Sequence, residues 1–362
     1  MKKFIILITA TIVCFNAVSA QDKPLRLAIA GLSHGHLGDV AWRIERNDFV
    51  IVGVAEADRK IWKRNALSGK VDPSLFYSDL ETMLDQTKPE AVAAYGSIYD
   101  HVTIVEACAP RGIHVMVEKP LATTYKDALR IKELADKYGI KVMTNYETTW
   151  YSSNWETFRL VKEGQIGDIV RMNIYDGHEG PVEIGCSKEF LAWLTDPVLN
   201  GGGAVVDFGC YGANIATWFL KGQEPISVYG ILKRHKPEIY PKVDDDATII
   251  VEYPDATVQI MASWCWPLSR KDMYVYGHDG YIYQKNGKEM ESVIKGKHTP
   301  LYEAPKLSAP YDDTFRMFKA VVRDEVKLEA YDPNSLENNV MVVRILEAAR
   351  ESAAQGTAIR FN

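Results

Sequence analysis

Short apolar runs alternate with helical segments between Leu25 and about Asn145, and this alternation constrains the fold most strongly. The runs have the length of buried strands and lie at 25–30, 49–55, 91–94, 114–117 and 141–144. In the clearest helical segment, apolar residues recur every three or four positions between Thr124, which suits an N-cap, and Gly139, which suits the C′ position. Strands that alternate with helices form a parallel sheet covered on both faces. We therefore predict a doubly wound α/β domain with its ligand at the carboxyl ends of the strands.

The second half of the chain follows a different pattern, because strand-like runs there are joined by Pro-Asp and Asp-Gly turns rather than by helices. The predicted helices lie at 154–162, 212–219 and 335–353, and the predicted strands at 169–175, 247–253, 257–264 and 273–276. The last three strands are predicted to be antiparallel. This pattern indicates an α+β domain built on a large, mostly antiparallel open sheet.

The first twenty residues have the pattern of a secretory signal. Two lysines precede an apolar stretch from Phe4 to Val13, and small residues lead up to Ala20. The stretch is too short to span a membrane, and a buried first strand is the alternative interpretation. We predict cleavage after about Ala20, export to the periplasm, and a mature chain without a membrane span. The mature chain divides into a nucleotide-binding domain over 21–145 and a substrate and oligomerisation domain over 146–362.

The charge pattern excludes one class of partner. The formal net charge is −6, and no lysine- or arginine-rich run is present. Proteins that bind nucleic acids carry a basic patch or stripe, so we predict no nucleic-acid partner.

A turn with two glycines follows the first strand run, directly before a helical segment. It contains Gly31, Ser33, His34, Gly35 and His36. Backbone N–H groups at such a turn approach a pyrophosphate closely, which makes these five residues candidates for cofactor binding. In the register G-x-G-x-x-G, Gly31 is kept, whereas Ser33 and His36 replace glycines. A plain strand–helix turn is the alternative.

Glu56 directly follows the second strand run, 25 positions after Gly31. An acidic residue at this distance bonds a ribose hydroxyl in dinucleotide-binding domains and repels a 2′-phosphate. The position therefore favours NAD over NADP as the cofactor. A solvated glutamate at a strand end is the alternative.

Two further motifs complete a recognisable set. Glu118-Lys119-Pro120 follows the run at 114–117, and the second half contains a segment that begins with three glycines, Gly201 to Tyr211. The sequence resembles the glucose–fructose oxidoreductase / inositol dehydrogenase / rhizopine-catabolism (Gfo/Idh/MocA) family, whose motifs E-K-P and G-G-G-x-x-x-D-x-G-x-[HY] these segments match over nearly the whole mature chain. The resemblance implies a Rossmann-type first domain and a nicotinamide-dependent enzyme that oxidises or reduces a secondary hydroxyl of a sugar or glycoside by hydride transfer.

The resemblance also implies roles for individual residues. Lys119 is expected to polarise the substrate hydroxyl or help deprotonate it, and a simple salt bridge to Glu118 or Asp207 is the alternative. Asp207 is expected to orient the cluster or bond a second hydroxyl. Tyr211 stands where many relatives have histidine and is the candidate acid/base, with its pKa lowered by the Lys119 ammonium. Asn214, one helical turn beyond Tyr211, is expected to hold another hydroxyl. Among these, Lys119, Asp207 and Tyr211 form the predicted catalytic set.

The remaining predicted contacts depend on the same resemblance. His101, Glu118 and Lys119 join the loop residues and Glu56 in the cofactor site. The predicted substrate contacts are His178 and the flat faces of Trp150 and Trp193 together with Lys119, Asp207, Tyr211 and Asn214. The segment Asp176-Gly-His178-Glu179 has no second histidine or cysteine at a useful spacing, so we predict no metal.

Two segments depart from the family pattern, and other functions stay open. Gly96-Ser97 replaces a usual Thr-Pro pair, and 145–150 replaces an arginine-rich segment that borders the substrate, so we expect an unusual substrate.

One alternative function is a redox-neutral enzyme that retains NAD and cleaves a glycoside by oxidation, elimination and reduction. A second is a non-catalytic sugar or nucleotide sensor, which would not need Lys119. The family's open sheets commonly pair, so we expect a homodimer or homotetramer through 248–276.

Overall fold

The computed structural model describes residues 23–361. The predicted signal segment, residues 1–20, lies outside the described residues. Within the described part of the chain, no helix is long and apolar enough to cross a membrane.

The first sheet confirms the predicted parallel, doubly wound architecture. It has six parallel strands in the order β3-β2-β1-β4-β5-β6. The strands are β1 (Leu25–Ala30), β2 (Phe49–Ala55), β3 (Phe76–Tyr77), β4 (Ala91–Ala94), β5 (His114–Glu118) and β6 (Val142–Asn145), and the connecting helices are α1 (Leu37–Arg43), α2 (Leu80–Thr87), α3 (His101–Cys108) and α4 (Tyr125–Tyr138). The Thr124 side chain accepts the Asp127 N–H at the start of α4, and Gly139 ends the helix with φ 65°, as predicted.

The second sheet has nine strands in the order β14-β13-β12-β11-β7-β10-β9-β8-β15. Its strands are β7 (Ile169–Gly177), β8 (Ser227–Lys233), β9 (Asp246–Glu252), β10 (Thr257–Ser263), β11 (Arg270–Gly277), β12 (Gly280–Gln284), β13 (Glu289–Ile294), β14 (Lys297–Glu303) and β15 (Ile359–Arg360). The helices of this half are α5 (Ser152–Lys162), α6 (Lys188–Leu194), α7 (Ala204–Asp207), α8 (Gly209–Phe219), α9 (Thr314–Val322) and α10 (Leu336–Gln355). The sheet is mostly antiparallel, as predicted.

Strand β7 lies at the centre of the second sheet and separates two strands that follow each other in the chain. It pairs with β10 in parallel and with β11 in antiparallel orientation, so β10 and β11 do not pair directly. This register places Asp176, near the carboxyl end of β7, opposite Lys271 on β11. A central strand therefore brings two ionisable residues to the same part of the sheet.

The strands divide between the two sheets after Asn145, but the hydrophobic cores do not divide there. Phe315 and Phe318 of α9 pack in the same cluster as Leu27 of the first sheet. Val343 of α10 packs in the other core cluster of that domain. The C-terminal third therefore contributes two helices to the covering of the N-terminal sheet.

Candidate active site

The two predicted motifs meet through one buried ion pair. Lys119, which directly follows β5, donates from Nζ to Asp207 Oδ1 at 2.5 Å and to the Asp207 carbonyl oxygen at 2.9 Å. The other carboxylate oxygen of Asp207 accepts the Trp264 Nε1–H at 2.9 Å. All three side chains are buried. The pair is thus fully hydrogen-bonded, which a buried charge requires.

The glycine segment fixes the backbone that presents Asp207. At Gly203, a Cβ atom would lie 1.8 Å from the carbonyl oxygen of Asp244, so only glycine fits this close approach. The Asp244 carboxylate accepts the N–H groups of Gly203 and Val205 at 2.9 and 2.7 Å. The turn before α7 is therefore tied to the loop before β9, and Asp207 at the end of α7 is directed toward Lys119.

The ion pair keeps both partners charged over a wide pH range. Burial alone would raise the pKa of Asp207, but the Lys119 ammonium outweighs burial and holds this pKa at about 2. Burial acts to lower the pKa of Lys119, and the Asp207 carboxylate outweighs it, so the lysine pKa is raised above its ordinary value. Lys119 therefore acts at neutral pH as an ammonium that donates hydrogen bonds, not as a base.

Tyr211 lies next to this pair, but its predicted pKa shift is wrong. The Lys119 Nζ atom lies 5.1 Å from the centre of the Tyr211 ring, and the Lys271 Nζ atom 4.5 Å. Burial of the phenol raises the pKa of Tyr211 well above its ordinary value, and the Glu147 carboxylate raises it further. The two ammonium groups contact the ring and do not offset this burial. Tyr211 is therefore a proton donor at neutral pH.

Three ionisable residues near Tyr211 were not predicted. Lys271 forms an ion pair with Glu147, and the two line a cavity of about 350 Å³ together with His178. Asp176 lies opposite Lys271, and its Oδ2 atom has no hydrogen-bond partner among the described residues. Burial raises the pKa of Asp176 to about 8. Two sequence signals lay near them: the atypical segment at 145–150, which contains Glu147, and the segment 176–179, which contains Asp176.

His178 faces the same cavity, as its predicted substrate role requires. Its ring packs edge-on against Phe208 at 4.9 Å. Burial lowers the pKa of His178, so the imidazole is neutral. Because Nδ1 accepts the Gly180 N–H at 2.9 Å, Nε2 carries the hydrogen and can donate to a ligand.

Asn214 is directed away from the site, which corrects its predicted role. Its amide nitrogen donates to the Pro333 carbonyl oxygen and to Asn338 Oδ1, both at 2.8 Å. The side chain is fully buried between α8 and α10. Asn214 therefore joins two helices and is not available to a substrate hydroxyl.

The two predicted sugar-stacking tryptophans also have other surroundings. Trp193 is buried against His34 and lines a cavity with Gly31 and Glu56, on the nucleotide side. Trp150 donates from Nε1 to Asn145 Oδ1 at 3.2 Å. Neither ring borders the cavity that contains Lys271. Neither tryptophan is therefore placed to stack on a sugar in that cavity, which corrects the predicted substrate stacking.

The nucleotide side of the cleft has the features that a dinucleotide requires. Gly31, Ser33 and Glu56 line a cavity of about 530 Å³ at the ends of β1 and β2. A Cβ atom on Gly31 would lie 2.5 Å from the backbone nitrogen of Gly96, and Gly31 has φ +84°, so the turn requires glycine. Glu56 accepts the Leu32 N–H at 3.1 Å and thereby holds the loop against β2.

The remaining predicted cofactor residues form two buried contacts. The His101 Nδ1–H donates to the Leu121 carbonyl oxygen at 3.1 Å and so fixes the segment that follows Lys119. Burial lowers the pKa of His101 to about 4. His36 Nδ1 lies 2.9 Å from Glu118 Oε2, and His34 packs beside His36. Gly35 borders a further cavity of about 480 Å³ together with Ser33 and His34.

Comparison with known proteins identifies the family that this geometry indicates. A family model described as "Oxidoreductase family, NAD-binding Rossmann fold" matches residues 25–146, and the GFO/IDH/MocA C-terminal domain matches residues 156–283. The chain belongs to the GFO/IDH/MocA family. The NAD-binding description applies to the part of the chain that contains the Gly31 turn, Glu56 and Lys119.

Named relatives of this GFO/IDH/MocA chain include sugar dehydrogenases. A D-xylose 1-dehydrogenase [NADP(+)] of Haloarcula marismortui is 23% identical over 65% of this chain and 65% of its own length. A D-glucoside 3-dehydrogenase of Escherichia coli (strain K12) is 26% identical over 55% of each chain. The alignments thus span about two thirds or less of these relatives.

Solved structures share the fold over almost the whole chain. An inositol dehydrogenase homolog from Azotobacter vinelandii in complex with NAD+ has a TM-score of 0.80 and 19% identity, and covers 94% of this chain and 98% of its own. An aldose-aldose oxidoreductase from Caulobacter crescentus has a TM-score of 0.78 and 21% identity, and covers 93% and 100%. At these identities, the structures establish the common two-domain fold.

Proposed function

We propose that this GFO/IDH/MocA protein is a nicotinamide-dependent oxidoreductase that transfers hydride to or from a secondary hydroxyl carbon of a sugar or glycoside. The observation that carries the proposal is the buried Lys119–Asp207 pair, whose ammonium lies 5.1 Å from the centre of the Tyr211 ring, while Lys271, on the wall of the cavity of about 350 Å³, lies 4.5 Å from the same ring centre. A fixed positive charge beside this cavity can stabilise the alkoxide that forms when a hydroxyl loses its proton to water in the cavity.

The bound nicotinamide would accept the hydride from the carbinol carbon. The protein's own residues bind and orient the hydroxyl. Lys119 keeps its charge because Asp207 raises its pKa, so it stabilises the developing alkoxide by hydrogen bonding. Tyr211, with its raised pKa, donates a hydrogen bond beside it. His178 Nε2–H and the Lys271 ammonium, in the cavity of about 350 Å³, bind further hydroxyl groups.

NAD is the proposed cofactor rather than NADP, and Glu56 is the basis for this preference. Its carboxylate lies at the end of β2 on the wall of the cavity at Gly31. A carboxylate there bonds ribose hydroxyls and repels a 2′-phosphate. A Glu56→Gln variant should bind NADP more tightly relative to NAD than the parent does, measured by nucleotide fluorescence titration.

Export and self-association are further parts of the proposal. The pattern of residues 1–20 supports a periplasmic protein. Free nicotinamide cofactor should be scarce there, so we propose that the enzyme retains its cofactor.

Self-association through the second sheet is a further part of the proposal. Four tyrosines with stacked or tilted rings lie on β11 and β12 and support pairing of two copies through this sheet: Tyr274, Tyr276, Tyr281 and Tyr283.

The test begins with the mature protein purified without added nucleotide. Bound nucleotide is released and identified, and nicotinamide absorbance is then followed with a panel of sugars and glycosides. Bound NAD that one sugar reduces supports the proposal. Glycoside cleavage without net reduction would replace it with the redox-neutral alternative. No bound nucleotide, and none binding when supplied, would overturn it.

A further inference from the structure

Three side chains that commonly bind metals meet beside the proposed active site. One ring nitrogen from His34, one from His36 and one carboxylate oxygen of Glu118 lie within 4.8 Å of one another. The histidines are in the turn between β1 and α1, and Glu118 ends β5, 82 positions after His36. We propose that His34, His36 and Glu118 bind a divalent metal ion with the ligand preference of Zn²⁺. This proposal uses residues that were also predicted to contact the cofactor, and it reverses the expectation of no metal.

Hydrogen bonds already hold the candidate ligand atoms together. The His36 backbone N–H donates to His34 Nδ1 at 3.1 Å, so His34 would bind an ion either through Nδ1 after this hydrogen bond opens or through Nε2 after that nitrogen loses its hydrogen. His36 Nδ1 and Glu118 Oε2 are 2.9 Å apart and share one hydrogen. A metal ion would take the place of this hydrogen and release it, as metal binding to histidine generally does.

The spacing requires only a small closure. In tetrahedral zinc sites with bonds of about 2.0–2.2 Å to nitrogen and oxygen, ligand atoms are about 3.3 Å apart. The atoms of this cluster are separated by at most 4.8 Å. The His36 side chain is 32% exposed and can move inward, whereas His34 is held between the rings of Phe190 and Trp193.

The charge balance of the cluster favours a cation. The Glu118 side chain is 2% exposed, and His36 is its only ion-pair partner among residues 23–361. The ammonium of Lys119, the next residue in the chain, is bound to Asp207. A buried carboxylate is costly unless a positive charge or a metal neutralises it. A divalent ion would supply this charge while the imidazoles stay neutral.

The cluster has the supporting contacts that metal sites need. Asn145 Nδ2 donates to Glu118 Oε1 at 2.8 Å and fixes the carboxylate, and Trp150 in turn donates to Asn145. Such outer contacts orient the ligands of a metal. Three protein ligands leave a fourth position open on a tetrahedral ion. His34 also lines the cavity of about 480 Å³, so this position would accept an oxygen atom of the molecule bound there.

This site explains an otherwise unusual loop. His36 stands where the dinucleotide pattern has its third glycine, and a metal ligand at this position accounts for the departure. The signal was missed because two histidines at i and i+2 do not specify a site without their third ligand, which is far away in sequence.

The test uses the full mature chain after treatment with EDTA. It is titrated with Zn²⁺ by calorimetry and with Co²⁺ by visible absorption, without substrate. We expect one ion per chain and Co²⁺ bands typical of low coordination number. His36→Gln and Glu118→Gln should weaken binding more than about 100-fold, and Asn145→Ala about 10–100-fold, the range for loss of an outer contact.

The matched control is His298→Gln. This exposed histidine also lies beside a carboxylate, with Nε2 3.3 Å from Glu291 Oε1, but no third ligand joins them within residues 23–361. Its substitution should leave Zn²⁺ affinity unchanged.

Absence of stoichiometric binding by the parent, or equal binding by parent, His36→Gln and Glu118→Gln proteins, would overturn the proposal. If a ligand variant fails to fold, as judged by circular dichroism, the Asn145→Ala result decides. Nucleotide content is measured separately, so failure of the oxidoreductase proposal is recognised independently.

Discussion

Glu118 and Lys119 are neighbours in the chain, both are buried, and each forms an ion pair, yet the two pairs differ in how completely the protein surrounds them. Lys119 and Asp207 are both buried, and the second carboxylate oxygen of Asp207 accepts a hydrogen bond from Trp264 Nε1. Glu118 pairs with His36, whose side chain is about one-third exposed. The Lys119–Asp207 pair is closed to solvent and fixes the charges for catalysis. The Glu118–His36 pair is partly exposed to solvent and therefore accessible to another cation.

The largest expected effect comes from breaking the closed pair. Asp207→Asn leaves the Lys119 ammonium buried without its counter-charge, and we expect a loss of about 3–5 kcal/mol in the free energy of unfolding. Urea denaturation measures this loss. The double variant Lys119→Met/Asp207→Leu should recover most of the stability without recovering turnover, because it removes both charges. An Asp207→Asn protein as stable as the parent would show that the Lys119 ammonium does not need the buried Asp207 carboxylate as its counter-charge.

A smaller effect should follow from removing one hydrogen bond to the closed pair. Trp264→Phe deletes the Nε1–H donor to Asp207, and hydrogen bonds to charged groups contribute about 1.5–3 kcal/mol. The control is Trp218→Phe, because Trp218 is equally buried but its Nε1 has no partner among the described residues. Thermal unfolding of the two variants gives the comparison, and equal losses would refute the role of the Trp264 bond.

Asp176, a third buried carboxylate, should make the stability of the folded protein depend on pH. Asp176 has a folded-state pKa of about 8, raised by burial from an ordinary 3.8. Between these values the folded protein binds more protons at Asp176 than the unfolded chain does, so this residue makes stability fall as pH rises. Asp176→Asn should remove that slope and gain stability relative to the parent at alkaline pH. Urea midpoints that run parallel with pH in both proteins would contradict this expectation.

Local sequence signals were sufficient for five of the six strands of the first sheet, and the family resemblance indicated that the two motifs meet. Apolar runs of strand length, the Thr124 cap and the Gly139 stop define a parallel sheet without long-range information. The carboxyl ends of its strands then place Lys119 in the cleft. Strand β14, by contrast, was not predicted, because it is almost fully exposed and lacks apolar alternation. Helix α9, also unpredicted, is short and depends on packing against the first sheet.

Residue roles were less predictable because they depend on contacts distant in sequence. Asn214 lies one helical turn from Tyr211, yet the packing of α10 captures its amide. The proximity of Lys119 suggested a lowered pKa for Tyr211, but the depth of burial reverses the shift. Lys271 reaches the site only because β7 lies between β10 and β11, a strand order that no local pattern specifies.

The most direct test of the central claim compares two lysine variants in hydride transfer. Lys119→Met removes the buried ammonium beside Tyr211, while Lys141→Met removes a lysine that is paired with Asp324 and lines neither the cavity at Gly31 nor the cavity at Lys271. The rate of nicotinamide reduction by the active sugar and the nucleotide content are measured for both proteins. We predict a rate loss of about 10²–10³-fold for Lys119→Met, the range for removing one donor that stabilises a developing oxyanion, with nucleotide retained and Lys141→Met unchanged. Full turnover by Lys119→Met would contradict the account.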